Sequence, residues 1–381
     1  MPGTHGEKRA VKHRQPYSRY GLSRAGALTQ QGMNGMTRYC TILRAGGLLY
    51  CCGVFAVGIC GCASLSGPGN EARLAGTLWW LTPDDLALSG TRWEEELDHI
   101  QALGMDTIIF NGPYAGPKGG AAFDALLNRL DARGLHVYLD TLAAPDWWTL
   151  EEAGDEVRRG TERAAVLQQT YGHHASFAGF YIPYECYVMW DRQGAIARAV
   201  YVGVSRGCKA AAPDKPVMIS PFFRLDEGCY LGDFRWATPK EYSDFWKDIL
   251  SAASIDIVAL QDSGEHLACF TLAQRQPFFE AMKAACAATE TAFWANVESG
   301  ELNVASVEDY VARFGLKTHV NSPKTAPFWR AVPADKFRAK LGLAGDYTDT
   351  AITWGYREFL RPSRDATAAQ AYEEYTRVFA R

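Results

Sequence analysis

From position 76 to the C-terminus, short and nearly continuous apolar runs alternate with longer stretches in which apolar residues recur every three or four positions. The short runs cover 76–82, 107–112, 136–143, 177–185, 216–223, 255–263, 292–298 and 350–356. Runs that lack the in–out alternation of a one-sided sheet fit parallel strands buried on both faces. Between them, 92–103 aligns Trp93, Leu97, Ile100 and Leu103 on one helical face, and 123–132 does the same with Phe123, Leu126, Leu127 and Leu130. Segments 240–253, 272–288, 334–341 and 367–379 repeat that period. Eight strands, each followed by a helix, predict one (β/α)8 barrel rather than a doubly wound sheet. After the first strand stands Thr82-Pro83-Asp84-Asp85, a helix-start signal where a dinucleotide fold needs glycines. The longest irregular section, 317–333, is expected to form a rim loop.

Upstream the pattern changes. Arg38 and Arg44 precede an apolar run over 46–61, which ends in small residues and is short for a bilayer crossing, so it reads as a secretory signal. Ile59-Cys60-Gly61-Cys62 resembles the bacterial lipoprotein box, which makes Cys62 the expected lipidated residue. An uncleaved N-terminal anchor is the alternative, and both place the folded part outside the cytoplasm. Ser64 points to the outer membrane, by resemblance to sorting signals, and thus to a periplasm-facing lipoprotein. The expected division is a basic extension over 1–35, non-native or disordered with Met36 as the start, a signal peptide over 36–62, a linker over 63–75 and the barrel over 76–381.

Composition narrows the function. With 48% hydrophobic and 12% aromatic residues in 381, the chain is neither disordered nor collagen-like nor a coiled coil. Lys and Arg number 39 against 43 Asp and Glu, and residues 1–62 hold eight of those cations with Glu7 as their one acid. The folded part is therefore distinctly acidic, which argues against nucleic acid as a partner. Cys186, Cys208, Cys229, Cys269 and Cys286 lie beyond the signal without any C-x-x-C or Cys/His grouping. No zinc or redox motif is expected, while one or two disulfides are permitted. The pair His173-His174, just before the fourth strand, is expected to be structural. No metal or organic cofactor is implied.

Active groups of such a barrel gather at the C-terminal ends of its strands. Glu185 ends the fourth run and Glu298 the seventh. A lone glutamate there also serves as a helix-start acid beside the dipole, but two acids facing one basin can flank a glycosidic bond. At a separation of about 5–5.5 Å, one acts as acid/base and the other attacks the anomeric carbon with net retention. Glu185, among Tyr181, Tyr184 and Tyr187, suits the acid/base, and Glu298, near Asn296, the nucleophile. Asn111, Asp140, Gln261, Asp262 and Asn296 are candidate partners for sugar hydroxyls, whereas capping is the better reading for Asp84 and Asp85. Trp79, Trp80, Trp147, Trp148, Trp190, Trp294, Trp354 and Tyr356 fall near strand ends. Of these, Trp294 and Trp354 are the preferred stacking platforms, with Tyr356, Tyr181 and Tyr184 as further binding candidates.

Gly76-Thr77, the segment from Gly179 to Glu185 (GFYIPYE), Ile219-Ser220-Pro221-Phe222-Phe223, the segment from Asp256 to Asp262 (DIVALQD) and Trp294-Ala295-Asn296-Val297-Glu298 together resemble a bacterial barrel family, domain of unknown function 4434. The resemblance spans 76–362. That family is similar to retaining glycoside hydrolases with the acid/base on strand four and the nucleophile on strand seven, which implies those roles for Glu185 and Glu298. Two departures stand out. The clan commonly has Asn before the strand-four Glu, where this chain has Tyr184, and Ser263-Gly264-Glu265 replaces a Gly directly after Gln-Asp.

The expected function is lipid-anchored, retaining hydrolysis of a bacterial exopolysaccharide or cell-envelope glycan. The rivals are a noncatalytic carbohydrate-binding lipoprotein working with exopolysaccharide export components, and transglycosylation on the same two glutamates.

Overall fold

A computed structural model of the protein describes residues 71–112, 120–143, 149–263, 268–318 and 327–379. The proposed signal and Cys62, most of the linker, and Trp147 and Trp148 lie outside the described residues. Eight parallel strands close a barrel: β1 (Arg73–Trp80), β2 (Thr107–Asn111), β3 (His136–Asp140), β4 (Phe177–Ile182), β5 (Val217–Ile219), β6 (Ile257–Gln261), β7 (Ala292–Asn296) and, last in the chain, β10 (Thr350–Thr353). Neighbours in sequence are neighbours in the ring, and β10 pairs with both β1 and β7. Each strand coincides with one of the eight apolar runs. β1 starts three residues before position 76, and most strands stop before the end of their run.

Strand side chains alternate between two cores. Leu78, Ile109, Tyr138, Tyr181, Met218, Ile257, Ala259 and Ile352 fill the barrel interior. Ile108, Phe110, Val137, Leu139, Phe180, Ile182, Ile219, Val258, Leu260, Phe293 and Ala295 face the helices. That is the layer logic of a barrel whose sheet is covered on both sides. Gly179 on β4 is required by close approach, because a Cβ there would meet Pro216 O at 2.5 Å and the Tyr138 ring at 2.6 Å.

The outer helices are α2 (Gly90–Ala102), α3 (Gly120–Arg133), α4 (Gly154–Tyr171), α5 (Asp191–Ala211), α6 (Pro239–Ala252), α7 (Leu272–Ala288), α9 (Ala334–Gly345) and α10 (Ala366–Phe379). Their starts are written locally: Thr238 with Glu241, and Thr271 with Gln274, form reciprocal capping boxes on α6 and α7. Thr82 and Asp85 do the same on the short α1 (Pro83–Leu86), as their sequence signal predicts. Asp85 is held further by Arg357 and Arg361.

Between β7 and α9 lies an insertion. Residues Gly300–Leu302 (β8) pair antiparallel with Trp329–Ala331 (β9), and α8 (Val307–Phe314) stands between them. The section expected to be irregular therefore ends in a strand. Leu302, Val304, Tyr310, Trp329 and Trp354 extend the interior core upward at this end of the barrel. Lys317 reaches the loop after β5, pairing with Asp233 and donating its backbone N–H to Tyr230 O. The five cysteines of the folded part are all free thiols. No described helix is long and apolar enough to cross a membrane.

Candidate active site

Alternation along each strand decides which side chains reach the C-terminal mouth. On β6, Ala259 faces in, so Gln261 also does, and its amide donates to Ser220 O at 2.9 Å. On β7, Asn296 donates from Nδ2 to Ser220 Oγ at 2.9 Å, while Ser220 Oγ donates to Ala259 O at 2.8 Å. Ser220, just past β5, thus joins the ends of three neighbouring strands. It lies in the Ile219–Phe223 motif, yet the sequence reading does not single it out. Its signal is a polar residue in register with inward-facing Met218.

Tyr181 lies fully buried beside this network. Burial raises its hydroxyl pKa well above the ordinary range; the Glu185 carboxylate and, less strongly, Asp140 add to the rise, and Ser220 opposes it. Glu185 is half-buried and follows Tyr181 by four positions, so it keeps the inward parity. Glu298 follows Asn296 by two and is 2% exposed. Its backbone is anchored on both sides: Asp262 Oδ1 accepts from its N–H at 3.3 Å, and the Lys340 ammonium donates to its carbonyl. The Glu298 charge also acts on Lys340.

Asp140 and Asn111 complete the interior rim. Asp140 Oδ2 accepts from Gly112 N–H at 3.0 Å, and Oδ1 lies 3.8 Å from Arg163 of α4. Asn111 is 5% exposed, and its buried Nδ2 has no hydrogen-bond partner among the described residues. Beside it in register stands Trp80, the last residue of β1 and 41% exposed. Its accessible indole lies next to the Asn111 amide, a placement that sequence reading does not single out.

Other proposed residues sit elsewhere. Tyr184 faces the helices, where its hydroxyl donates to Glu156 of α4 and its carbonyl accepts from Tyr201 of α5. Asp262 also points outward, 3.0 Å from Arg275 and 2.9 Å from Lys340, all three buried. Against the effect of burial, the charges of Lys340 and Arg275 hold the Asp262 carboxyl below its usual range. Tyr356 is buried on the outer side against Trp79, 5.9 Å between ring centroids, with its hydroxyl directed at Glu96. Trp294 meets Tyr138 edge-on inside the barrel and also lines a cavity of about 370 Å³ with Thr348 and Thr350, at the opposite, N-terminal end. Trp354 remains at the mouth but is 8% exposed and packed on Phe359.

Arg224, on the loop after β5, adds a charge that sequence reading omits. Its guanidinium carbon lies 4.1 Å from the ring centres of both Tyr187 and Phe234, two residues along from Glu185 in the first case. The described strand ends therefore bring together the carboxylates of Glu185, Glu298 and Asp140, the last two buried, an amide and hydroxyl network, the exposed Trp80 indole and the Arg224 cation.

Comparison with known proteins agrees with this architecture. A protein from Bacteroides thetaiotaomicron that carries the provisional name alpha-L-fucosidase superimposes with a TM-score of 0.63 at 18% identity, over 83% of this chain and 96% of that one. An endo-beta-1,4-mannanase from Thermotoga petrophila gives 0.45 at 11% identity, over 82% and 78%. An intracellular xylanase from Thermoanaerobacterium saccharolyticum gives 0.45 at 11% identity, over 74% and 84%. No curated protein matches the chain. The model of one family, described as a domain of unknown function (DUF4434), matches residues 74–366, nearly the whole barrel, and it is to this family that the chain belongs.

Proposed function

We propose that this protein is a retaining glycoside hydrolase acting on a bacterial exopolysaccharide or cell-envelope glycan, anchored outside the cytoplasm through a lipid on Cys62. The observation that carries the reading is the placement of Glu185 and Glu298 just past the ends of β4 and β7, each in register with inward-facing residues, Tyr181 and Asn296.

Glu185, half-buried beside the Tyr181 phenol, gives its proton to the leaving oxygen. Glu298 attacks the anomeric carbon, forming a glycosyl ester as the bond to the leaving group breaks. Water then attacks that carbon, Glu185 takes the water's proton, and the sugar leaves with its configuration retained. Lys340 beside Glu298 stabilises the charge a nucleophile must carry. Asn111, Gln261 and Asn296 would hold hydroxyls, and Trp80 a pyranose face. An incoming sugar in place of water would make the same site a transglycosylase.

One observation favours a second reading. Glu298 is 2% exposed, so a carbohydrate-binding protein in export or assembly, with Glu298 part of the buried charge cluster, uses the same features without turnover. A panel of bacterial polysaccharides incubated with the wild type and with Glu298→Gln separates the two. Hydrolysis expects new reducing ends from the wild type and a loss on the order of 10³-fold in the variant. Binding without product, or equal product from both proteins, removes the enzymatic account.

A further inference from the structure

At the N-terminal end of the barrel, away from the glutamates, three side chains from two separate segments converge. Asp124 is on α3, and His173 and His174 are on the turn between α4 and β4. Their ligand atoms all lie within 4.8 Å of one another. His174 Nε2 is 3.2 Å from Asp124 Oδ1, His173 Nε2 is 3.9 Å from the same oxygen, and the two imidazole centroids are 4.2 Å apart.

The decisive feature is behind the cluster. His174 is 1% exposed at its side chain, and its other nitrogen, Nδ1, lies 2.7 Å from Asp131 Oδ2. Asp131 is itself fixed by the Ser176 backbone N–H, which donates to Oδ1 at 2.6 Å. A carboxylate behind a ligating imidazole orients the ring and raises the basicity of the nitrogen that faces a metal. Nε2 points at an Asp124 oxygen, so a proton or a metal ion between the two atoms would hold them together. His173 turns its own Nε2 toward the same point, which a single bridging proton does not require.

We infer that Asp124, His173 and His174 bind a divalent transition metal of the zinc class, with water completing the site. Tetrahedral zinc with ligands at about 2.0–2.2 Å places neighbouring donor atoms about 3.3–3.5 Å apart. The His174–Asp124 spacing is already close to that value, and His173, 65% exposed, closes the remainder by side-chain rotation. Two imidazoles and a carboxylate suit zinc, nickel or copper and suit calcium or magnesium poorly. The metal would tie α3 to the segment entering β4. Sequence reading misses the site because its acid lies 49 positions upstream of His173, on a helix face that looks merely solvated.

The test uses the purified full-length protein stripped with a chelator and titrated with Zn²⁺ or Co²⁺. One equivalent of tightly held zinc, a visible Co²⁺ absorption band and a raised Tm are expected for the wild type. His173→Ala, an exposed substitution, is expected to keep the far-ultraviolet circular dichroism of the wild type and to weaken zinc binding 10- to 100-fold. Asp124→Asn is expected to do the same and to abolish the Co²⁺ band. Absence of stoichiometric binding by the wild type, or binding that persists unchanged in both folded variants, overturns the inference.

Discussion

At the scale of single residues, the barrel gives each candidate group a different burden. Glu298→Gln removes the proposed nucleophile but keeps the shape and the backbone bonds to Asp262 and Lys340, so turnover should vanish while ligand affinity stays near normal. Glu185→Gln should behave differently: hydrolysis of substrates with good leaving groups survives in part, because their departure needs little protonation. Comparing kcat on an aryl glycoside and on the polymer for both variants checks that asymmetry. Trp80→Ala should raise KM for a polymer several-fold with kcat little changed, since it deletes a stacking surface of about 1 kcal/mol or more and no reacting group. Saturation kinetics on oligosaccharides of increasing length checks it.

Alternation explains which site residues the sequence discloses and which mislead. Once Tyr181 and Gln261 face inward, Tyr184 and Asp262 must face the helices, and each finds a partner there. Parity alone distinguishes them from Glu185. It fails at Tyr356, where Gly355 at φ 108° turns the chain and sends an apparently inward residue to the outer core. Trp80 stands apart from the other described tryptophans through its exposure, a property the sequence does not carry.

At the scale of elements, the buried group formed by Asp262, Arg275 and Lys340 joins the end of β6 to α7 and α9. Removing that anion takes the ion-pair partner from buried Arg275 and leaves Lys340 with the Glu298 charge, so Asp262→Ala should cost about 3–5 kcal/mol, measurable as a shifted denaturation midpoint. The same group sets a pH dependence. Because the folded-state pKa of Asp262 is lowered, its stabilisation is complete above the unfolded carboxyl pKa of about 4 and is lost as pH falls through the folded value. Acid unfolding of Asp262→Asn should lack that component.

All eight barrel strands and the outer helices with strong apolar periods are legible in the sequence, because burial on both sheet faces and one helix face writes long patterns. Strand ends are less legible: the run 216–223 yields a strand of three residues, and beyond it Pro221, which has no N–H to donate, still accepts from Gln261 N–H of β6 at 2.9 Å. The β8–β9 pair leaves no periodic trace, as each strand has three residues and the paired positions are 27 to 31 apart.

At the scale of the whole molecule, the acidic charge of the barrel argues against nucleic acid as a partner, and the proposed lipid on Cys62 carries a prediction of its own. The anchoring account expects Cys62→Ser, expressed in a bacterial host, to move from the membrane pellet to the soluble or unprocessed fraction and to lose palmitate labelling. Unchanged labelling of the variant would place the lipid elsewhere, and an unlabelled wild type would deny it.

The central claim is that Glu298 forms a covalent bond to sugar while Glu185 manages the proton. Incubation with 2-deoxy-2-fluoro glycosides, followed by peptide mass spectrometry, tests it directly, because such compounds stall a retaining enzyme at its ester. An adduct of one sugar on the peptide containing Glu298, absent from Glu298→Gln, is the expected result. An active wild type labelled at another residue, or turning over with inversion and no adduct, would contradict the account.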